Sequence, residues 1–328
     1  MMMNRESSSS ASVFDVVALG ELLVDFTQNG TSEQGNLLFE ANPGGAPANV
    51  LAMLRKLGRR CAFIGKVGRD SFGDMLAKTV EEAGIDIRCL TRDADIPTTL
   101  AVVHTFPNGD RDFSFYRKPG ADIRLSTDDL DRDLLRSCRI FHFGTLSLTD
   151  EPSRSATREA VRIAREAGAL LSFDPNLRPP LWPDEETARR EISWGLKQCD
   201  ILKIADNELR FMTGEVDFHR GAEQLKTHYP NIRVLNVTAG SDGSYSLTDS
   251  HWVYEPACKR GGVIETTGAG DTFCACVLNY VLEHGADGLS EHDLHSMLHY
   301  ANTAAWIVTT RKGAIRSMPE PEEVEKAL

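Results

Sequence analysis

What most restricts the folds open to this chain is a repeated alternation of short apolar runs with longer amphipathic ones. Residues 13–19, 62–67, 169–173, 201–205 and 232–238 read as buried strands. Residues 48–57 carry Val50, Leu54 and Leu57 at helical spacing and stop at Gly58. Residues 155–167 turn Ala156, Ala160, Ile163, Ala164 and Ala167 to one side and stop at Gly168. Two long helices follow at 269–283 and 291–310, the second with Leu294, Met297, Leu298, Ala301, Ala305 and Val308 on one face. Strand–helix–strand repeats of this kind predict an α/β fold, a mainly parallel sheet with helices on both faces.

Two regions break the rhythm. Residues 22–41 read as extended segments with turn residues. Residues 98–117 read as a hairpin around Pro107-Asn108-Gly109-Asp110, since Asn-Gly between two β-rich runs is a strong hairpin signal. Both lack helical cover, which predicts one small antiparallel sheet projecting from the main body as a lid; an ordinary sheet extension has the same pattern. At 328 residues the chain has room for about two domains of roughly 150 residues. The reading is a polar lead at 1–12, one domain over 13–328, and a lid from about 22–42 and 96–120.

The 48 acidic and 36 basic residues leave a net charge of −12, which argues against a nucleic-acid or anionic-membrane surface. The uncharged stretch at 272–282 is too short to span a bilayer. The start, MMMNRESSSSAS, has no apolar run of the kind a signal peptide needs. Seven cysteines without a C-x-x-C pair suit reduced thiols in the cytoplasm better than a disulfide or zinc framework.

Four segments could carry chemistry. In Glu265-Thr-Thr-Gly-Ala-Gly-Asp271-Thr-Phe, glycines let backbone N–H groups converge where a helix starts, a place that stabilises an anion. An Asp there could take a proton from a hydroxyl nucleophile. The same residues also describe a glycine turn with an Asp near a helix start. Asn42-Pro-Gly-Gly-Ala-Pro-Ala-Asn49 runs into the helix at 48–57; Gly44 and Gly45 allow close approach, and Asn49 offers a donor and an acceptor. Asp25 follows the first strand, where an open α/β sheet places its ligand crevice. Thr238-Ala-Gly-Ser-Asp-Gly243 and Asp174-Pro-Asn-Leu-Arg178 also follow strands. Thr238, Gly240 and Gly243 suit a nucleotide or a plain turn, and Arg178 could reach a phosphate or a substrate oxygen.

Other motifs are missing or discounted. There is no Gly-Lys-Ser/Thr, which excludes a P-loop, and no third glycine for a dinucleotide fingerprint. His292, His295 and His299 share a helix face opposite its core stripe, so that face reads as solvated rather than metal-binding. Asn236-Val-Thr238 matches a glycosylation acceptor but falls in a buried strand.

Together these segments resemble the ribokinase-like, or PfkB, carbohydrate kinases. The resemblance runs from about Val13 to the C-terminus and rests on two signatures in order. One is Pro43-Gly-Gly-Ala-Pro-Ala-Asn49 with Gly65-Lys-Val-Gly-Arg-Asp70; the other is Thr266-Thr-Gly-Ala-Gly-Asp271-Thr-Phe. Within the family the chain is similar to fructokinases, through Gly20-Glu-Leu-Leu-Val-Asp-Phe26, Phe113-Ser-Phe-Tyr-Arg-Lys-Pro-Gly-Ala-Asp122, Phe141-His-Phe-Gly144 and Asp174-Pro-Asn-Leu-Arg178.

The resemblance implies a Rossmann-like three-layer α/β fold with a β lid, and ATP-dependent phosphorylation of the terminal hydroxymethyl of D-fructose with Mg²⁺. Asp271 would be the base, and the amides of Gly268, Ala269 and Gly270 the anion hole. Asp25, Gly44, Gly45 and Asn49 would hold the sugar, with Arg178 and, from the lid, Arg117 near it. Lys203, Thr238, Gly240 and Gly243 would contact ATP, with Asn302 near the adenine. Glu208 would organise Mg²⁺ through water, although Ala205 stands where the family places an Asn. Glu265, with Arg311, Gly313 and Ser317, would mark a monovalent cation (K⁺) site, one methylene longer than the usual Asp. A homodimer paired through lid edges is expected. The competing readings are a kinase for 2-keto-3-deoxygluconate or ribose, a catalytically weak binding regulator on the same fold, and a dinucleotide-dependent dehydrogenase.

Overall fold

The computed structural model describes residues 14–105 and 111–328; the turn expected at 107–110 lies outside them. β1 (Phe14–Leu19) runs through the middle of the molecule and leads into β2 (Leu23–Thr31) and β3 (Leu37–Gly44). Then come α1 (Ala46–Lys56), β4 (Cys61–Gly68), α2 (Ser71–Glu82) and β5 (Asp86–Asp93), followed by β6 (Leu100–Thr105) and β7 (Arg111–Tyr116). The chain continues through α3 (Arg132–Arg136), β8 (Cys138–Gly144), α4 (Ser153–Glu166), β9 (Leu170–Asp174), α5 (Glu185–Gln198) and β10 (Ile201–Ala205). It closes with α6 (Asp206–Thr213), α7 (Phe218–His228), β11 (Val234–Thr238), β12 (Ser244–Leu247), β13 (Trp252–Glu255), α8 (Ala269–His284), α9 (Glu291–Thr309) and α10 (Pro321–Glu325).

Nine strands form the main sheet in the order β13-β12-β11-β10-β9-β8-β1-β4-β5. The seven from β11 to β5 pair in parallel, and β12 and β13 add an antiparallel edge. Strand order reverses between β1 and β8, so the crevice at their carboxyl ends is the place where such a sheet takes a ligand. β1 shows why the sheet is covered on both sides. Val16 and Ala18 join the core under α1, α8 and α9, while Val17 and Leu19 join the core with Phe141, Phe143 and Phe173. A strand apolar on both faces needs a helical layer above and below.

The two irregular regions form the second sheet, β3-β2-β6-β7. Its outer pairs are antiparallel, but its central pair, β2 with β6, is parallel, so the lid is a mixed sheet rather than the antiparallel one expected. The reason is topological: β2 and β6 each leave the main sheet from a strand's carboxyl end and enter the lid in the same direction. Phe26 of β2 meets Phe72 of α2 edge-on at 5.6 Å, which seats the lid on the main body.

The expected strands and helices of the main body are found with shifts of one or two residues at their ends, except that Ala167, expected on the inward face of its helix, lies just past α4 and is exposed. Asn236 is fully buried and donates to the Leu202 carbonyl, as a strand residue should. The histidine face of α9 is exposed; His295 and His299 each reach Glu255 at 2.9 Å. All seven cysteines are thiols, and only Cys258 is not buried. Among the described residues no helix is long and apolar enough to cross a membrane.

Candidate active site

A cavity of about 820 Å³ opens at the carboxyl ends of the central strands, beneath the lid. Its first wall is built where β1 turns into β2. Glu21 is buried, and its Oε1 accepts the Ala46 N–H at the start of α1 at 2.9 Å. Burial pushes its carboxyl up to about 7. Asp25, on β2, is likewise raised to about 7 by burial, with Arg178 opposing the shift and Glu265 and Asp271 adding to it.

The paired glycines are also required by close packing within the protein. A Cβ on Gly44 would lie 2.5 Å from the Asp25 carboxylate. A Cβ on Gly45, whose φ is +128°, would lie 2.3 Å from the Glu21 carbonyl oxygen. Gly44 therefore makes room for a neighbouring carboxylate and Gly45 for the Glu21 backbone, and Gly45 also lines the cavity.

The second wall is the start of α8. Gly268 takes a left-handed φ of +79° as N-cap, which swings Asp271 into the first helical turn. Here α1 packs on α8, and Asn49 Nδ2 donates to Asp271 Oδ2 at 2.7 Å, joining residues 222 apart in sequence. Burial raises the Asp271 carboxyl to about 6; the Asn49 hydrogen bond, Lys203 and Arg178 oppose the rise, and Asp174 adds to it. Gly268 and Gly270 line the cavity. The Ala269 N–H turns back to the Thr266 carbonyl at 3.3 Å, so that amide is committed within the protein. This corrects the expectation of three adjacent amides in one anion hole.

The floor comes from β9 and β10. Lys203 Nζ stands 3.1 Å from Asp174 Oδ2 and 3.1 Å from where a Gly270 Cβ would be. Burial works against the Lys203 charge, but Asp174, Glu208 and Asp271 together hold its ammonium above the usual range. Glu208 accepts the Ala205 N–H at 2.8 Å and the Leu177 N–H at 2.6 Å. Its carboxyl is raised by burial, with Lys203 opposing. Glu208 thus caps α6 and pins the 174–178 loop, where Asn176 sits at a φ of +45°. Arg178 and Glu265 complete the lining.

Not every expected residue joins this cavity. Arg117 is buried away from it, an ion partner of Asp122 at 2.7 Å that also donates to Thr149 Oγ1 and the Leu146 carbonyl, each at 2.8 Å. With its guanidinium nitrogens spent on the protein, it fastens the end of β7 and does not face substrate. Thr238, Gly240, Gly243 and Asn302 lie outside the large cavity's wall. Asn302 borders a second cavity of about 240 Å³ with Glu255, Pro256 and Cys258. Its amide donates to the Glu255 and Pro256 carbonyls, both at 3.1 Å, and accepts from Ser244 Oγ at 2.9 Å. Gly243 is tight, since a Cβ there would meet the Glu255 carbonyl at 2.3 Å; at Gly240 the same position opens onto empty space.

Two acids carry no assigned role in the sequence reading: Glu21, and Asp174, which appears there only within its strand-end segment. Both are acids at the carboxyl end of a central strand or just past it, and that position was the available signal.

The chain matches the model of the pfkB family carbohydrate kinases over residues 13–321 and belongs to that family. A probable fructokinase-2 of Arabidopsis thaliana is 42% identical over 307 residues, covering 93% of this chain and 92% of the relative. The structure of fructokinase with bound ATP from Xylella fastidiosa superposes with a TM-score of 0.86 at 29% identity, over 95% of this chain and 97% of that one. A double mutant of Vibrio cholerae fructokinase, in its fructose-, ADP- and potassium-bound form, gives a TM-score of 0.84 at 28% identity, over 97% and 99% of the two chains. The fold is ribokinase-like, a mainly parallel sheet between helical layers with a separate small sheet as lid.

Proposed function

We infer that this protein is a fructokinase, which transfers the γ-phosphoryl group of ATP to the terminal hydroxymethyl of D-fructose and yields fructose 6-phosphate and ADP. The observation that carries the reading is Asp271: a half-buried carboxylate in the first turn of a helix, on the wall of a cavity large enough for a sugar and a triphosphate. Family membership and the fructokinase relatives support the substrate assignment.

Asp271 takes the hydroxyl proton as the sugar oxygen bonds to the γ-phosphorus. The bond from that phosphorus to the bridging oxygen breaks, and its electron pair leaves with ADP. The proton passes from Asp271 to solvent when product departs. The start of α8 presents amide dipoles to the moving anion, and Lys203 and Arg178 add positive charge. Glu21 and Asp25, raised by burial, suit hydrogen bonds to sugar hydroxyls. The lid excludes water, the competing acceptor.

Mg²⁺ fits as a companion of ATP. Among the described residues no group of three or more His, Cys, Asp or Glu is placed to hold a metal. Asp174 is paired with Lys203, and Glu208 caps two backbone amides. Phosphate oxygens and waters would therefore supply most of the ligands, as Mg²⁺ favours, and Asp174 and Glu208 would hold the ion through water. Bound Mg²⁺ would neutralise charge on the β- and γ-phosphates. Buried Glu265, an oxygen donor, suits a monovalent cation such as K⁺.

Exposed Leu37, Leu38 and Phe39 on the lid's edge strand β3 favour a homodimer, which sedimentation velocity would read directly. Unpaired thiols favour a reducing compartment such as the cytoplasm.

A coupled ADP-release assay across a sugar panel tests the reading. Fructose should give the highest kcat/KM; no ADP release with fructose would overturn it.

A further inference from the structure

Asn49 is 3% exposed, and its side chain is split between two roles. Nδ2 is spent on Asp271 Oδ2 at 2.7 Å, while Oδ1 is buried with no hydrogen-bond partner in the protein. Its helix, α1, is held from below by Glu21, whose carboxylate accepts the Ala46 N–H. The amide is therefore fixed in space before any substrate arrives. A carboxylate with one oxygen held by a rigid donor rotates less freely, and its other oxygen, not weakened by that hydrogen bond, is the more basic of the two.

We propose that Asn49 is a positioning residue for Asp271: its amide fixes the plane of the carboxylate, holds Oδ2 as an acceptor and leaves Oδ1 as the oxygen that receives the hydroxyl proton. This rests on reading Asp271 as the base and deepens it. A donor on Oδ2 favours the charged carboxylate and keeps the base ionised against its burial. The charged groups acting on the same site come from every neighbouring element: Asp174 at the end of β9, Arg178 beyond it, Lys203 on β10 and Asp25 on β2. Glu265, before α8, faces the same cavity. Asn49 is an uncharged contributor to the Asp271 balance, so replacing it with an apolar residue removes a hydrogen bond and leaves the charges alone.

The test compares Asn49→Leu with the wild-type protein in two ways. In steady-state assays with ATP and fructose, kcat should fall about 10- to 100-fold, as for loss of a hydrogen bond to a charged group. The acid limb of kcat should move to higher pH by about one unit. In ¹³C NMR of the ligand-free protein, the Asp271 carboxyl should titrate at correspondingly higher pH. That second readout needs no turnover, so it judges the role of Asn49 even if fructose proves to be the wrong sugar. A raised fructose KM with the acid limb and the Asp271 titration both unmoved would mean that Asn49 only holds sugar, and the proposal would fall. If Asn49→Leu does not fold, Asn49→Ser is measured the same way. Its short hydroxyl leaves a longer gap to Oδ2, and a titration identical to wild type would again overturn the proposal.

Discussion

Asp271 gains its chemistry from opposing influences rather than from its identity as an aspartate. Burial lifts it to about 6, close enough to neutral pH to accept a proton and still be mostly ionised there. Asp271→Ala should lower kcat by about 10²- to 10⁴-fold, with fructose binding retained in calorimetry. In the wild-type protein kcat/KM should fall as pH drops through about 6, because protonation removes the base. Glu21 gives a stability counterpart. Its pKa rises from 4.5 in the unfolded chain to about 7 on folding, so the native state binds the extra proton. Its burial is therefore without penalty below about pH 4.5 and costs progressively more as pH climbs through 7. Glu21→Gln should raise stability at pH 8 by up to about 3 kcal/mol and flatten the pH dependence of Tm between 4.5 and 7. Asp271 was legible in sequence because a glycine pair before an acid and a helix is a local pattern. The Asn49 bond to it was not, because that bond depends on α1 packing on α8, which no local window contains. Arg117 misled for the same reason: its partner Asp122 is near in sequence, but the Thr149 and Leu146 groups that consume its other nitrogens are not.

Among the elements, α2 shows how a cap can do two jobs. Asp70 Oδ1 accepts the Gly73 N–H at 2.8 Å as an N-cap and the Thr98 hydroxyl at 2.7 Å, while Oδ2 accepts the Thr98 N–H at 2.8 Å. Thr98 lies two residues before the lid strand β6, so one carboxylate starts a helix of the main body and anchors the lid's entry. Asp70→Ala should cost about 1–3 kcal/mol in urea unfolding, more than an isolated cap on a surface helix. The helices and central strands could be read from periodicity, since each carries its own apolar face. The lid's parallel β2–β6 pairing could not, because two hairpin-like segments say nothing about which of their strands will meet.

Over the whole molecule, the acidity seen in composition does not describe the pocket. The chain carries a net −12, yet the cavity brings Lys203 and Arg178 together with a helix start, the equipment for a polyanion. Sequence alone placed this pocket at the strand ends through the α/β alternation, and supplied Asp25, Asn49, Arg178, Lys203 and Asp271 for it. It did not show that Gly44 makes room for the Asp25 side chain, or that Asn302 borders a separate, smaller cavity. The link between Asn49 and Asp271 also bears on how the chain is made. During synthesis the amide emerges early and the carboxylate about 220 residues later. Until α8 has docked against α1 the half-built protein holds no oriented base, so a nascent or truncated chain has no means of squandering ATP.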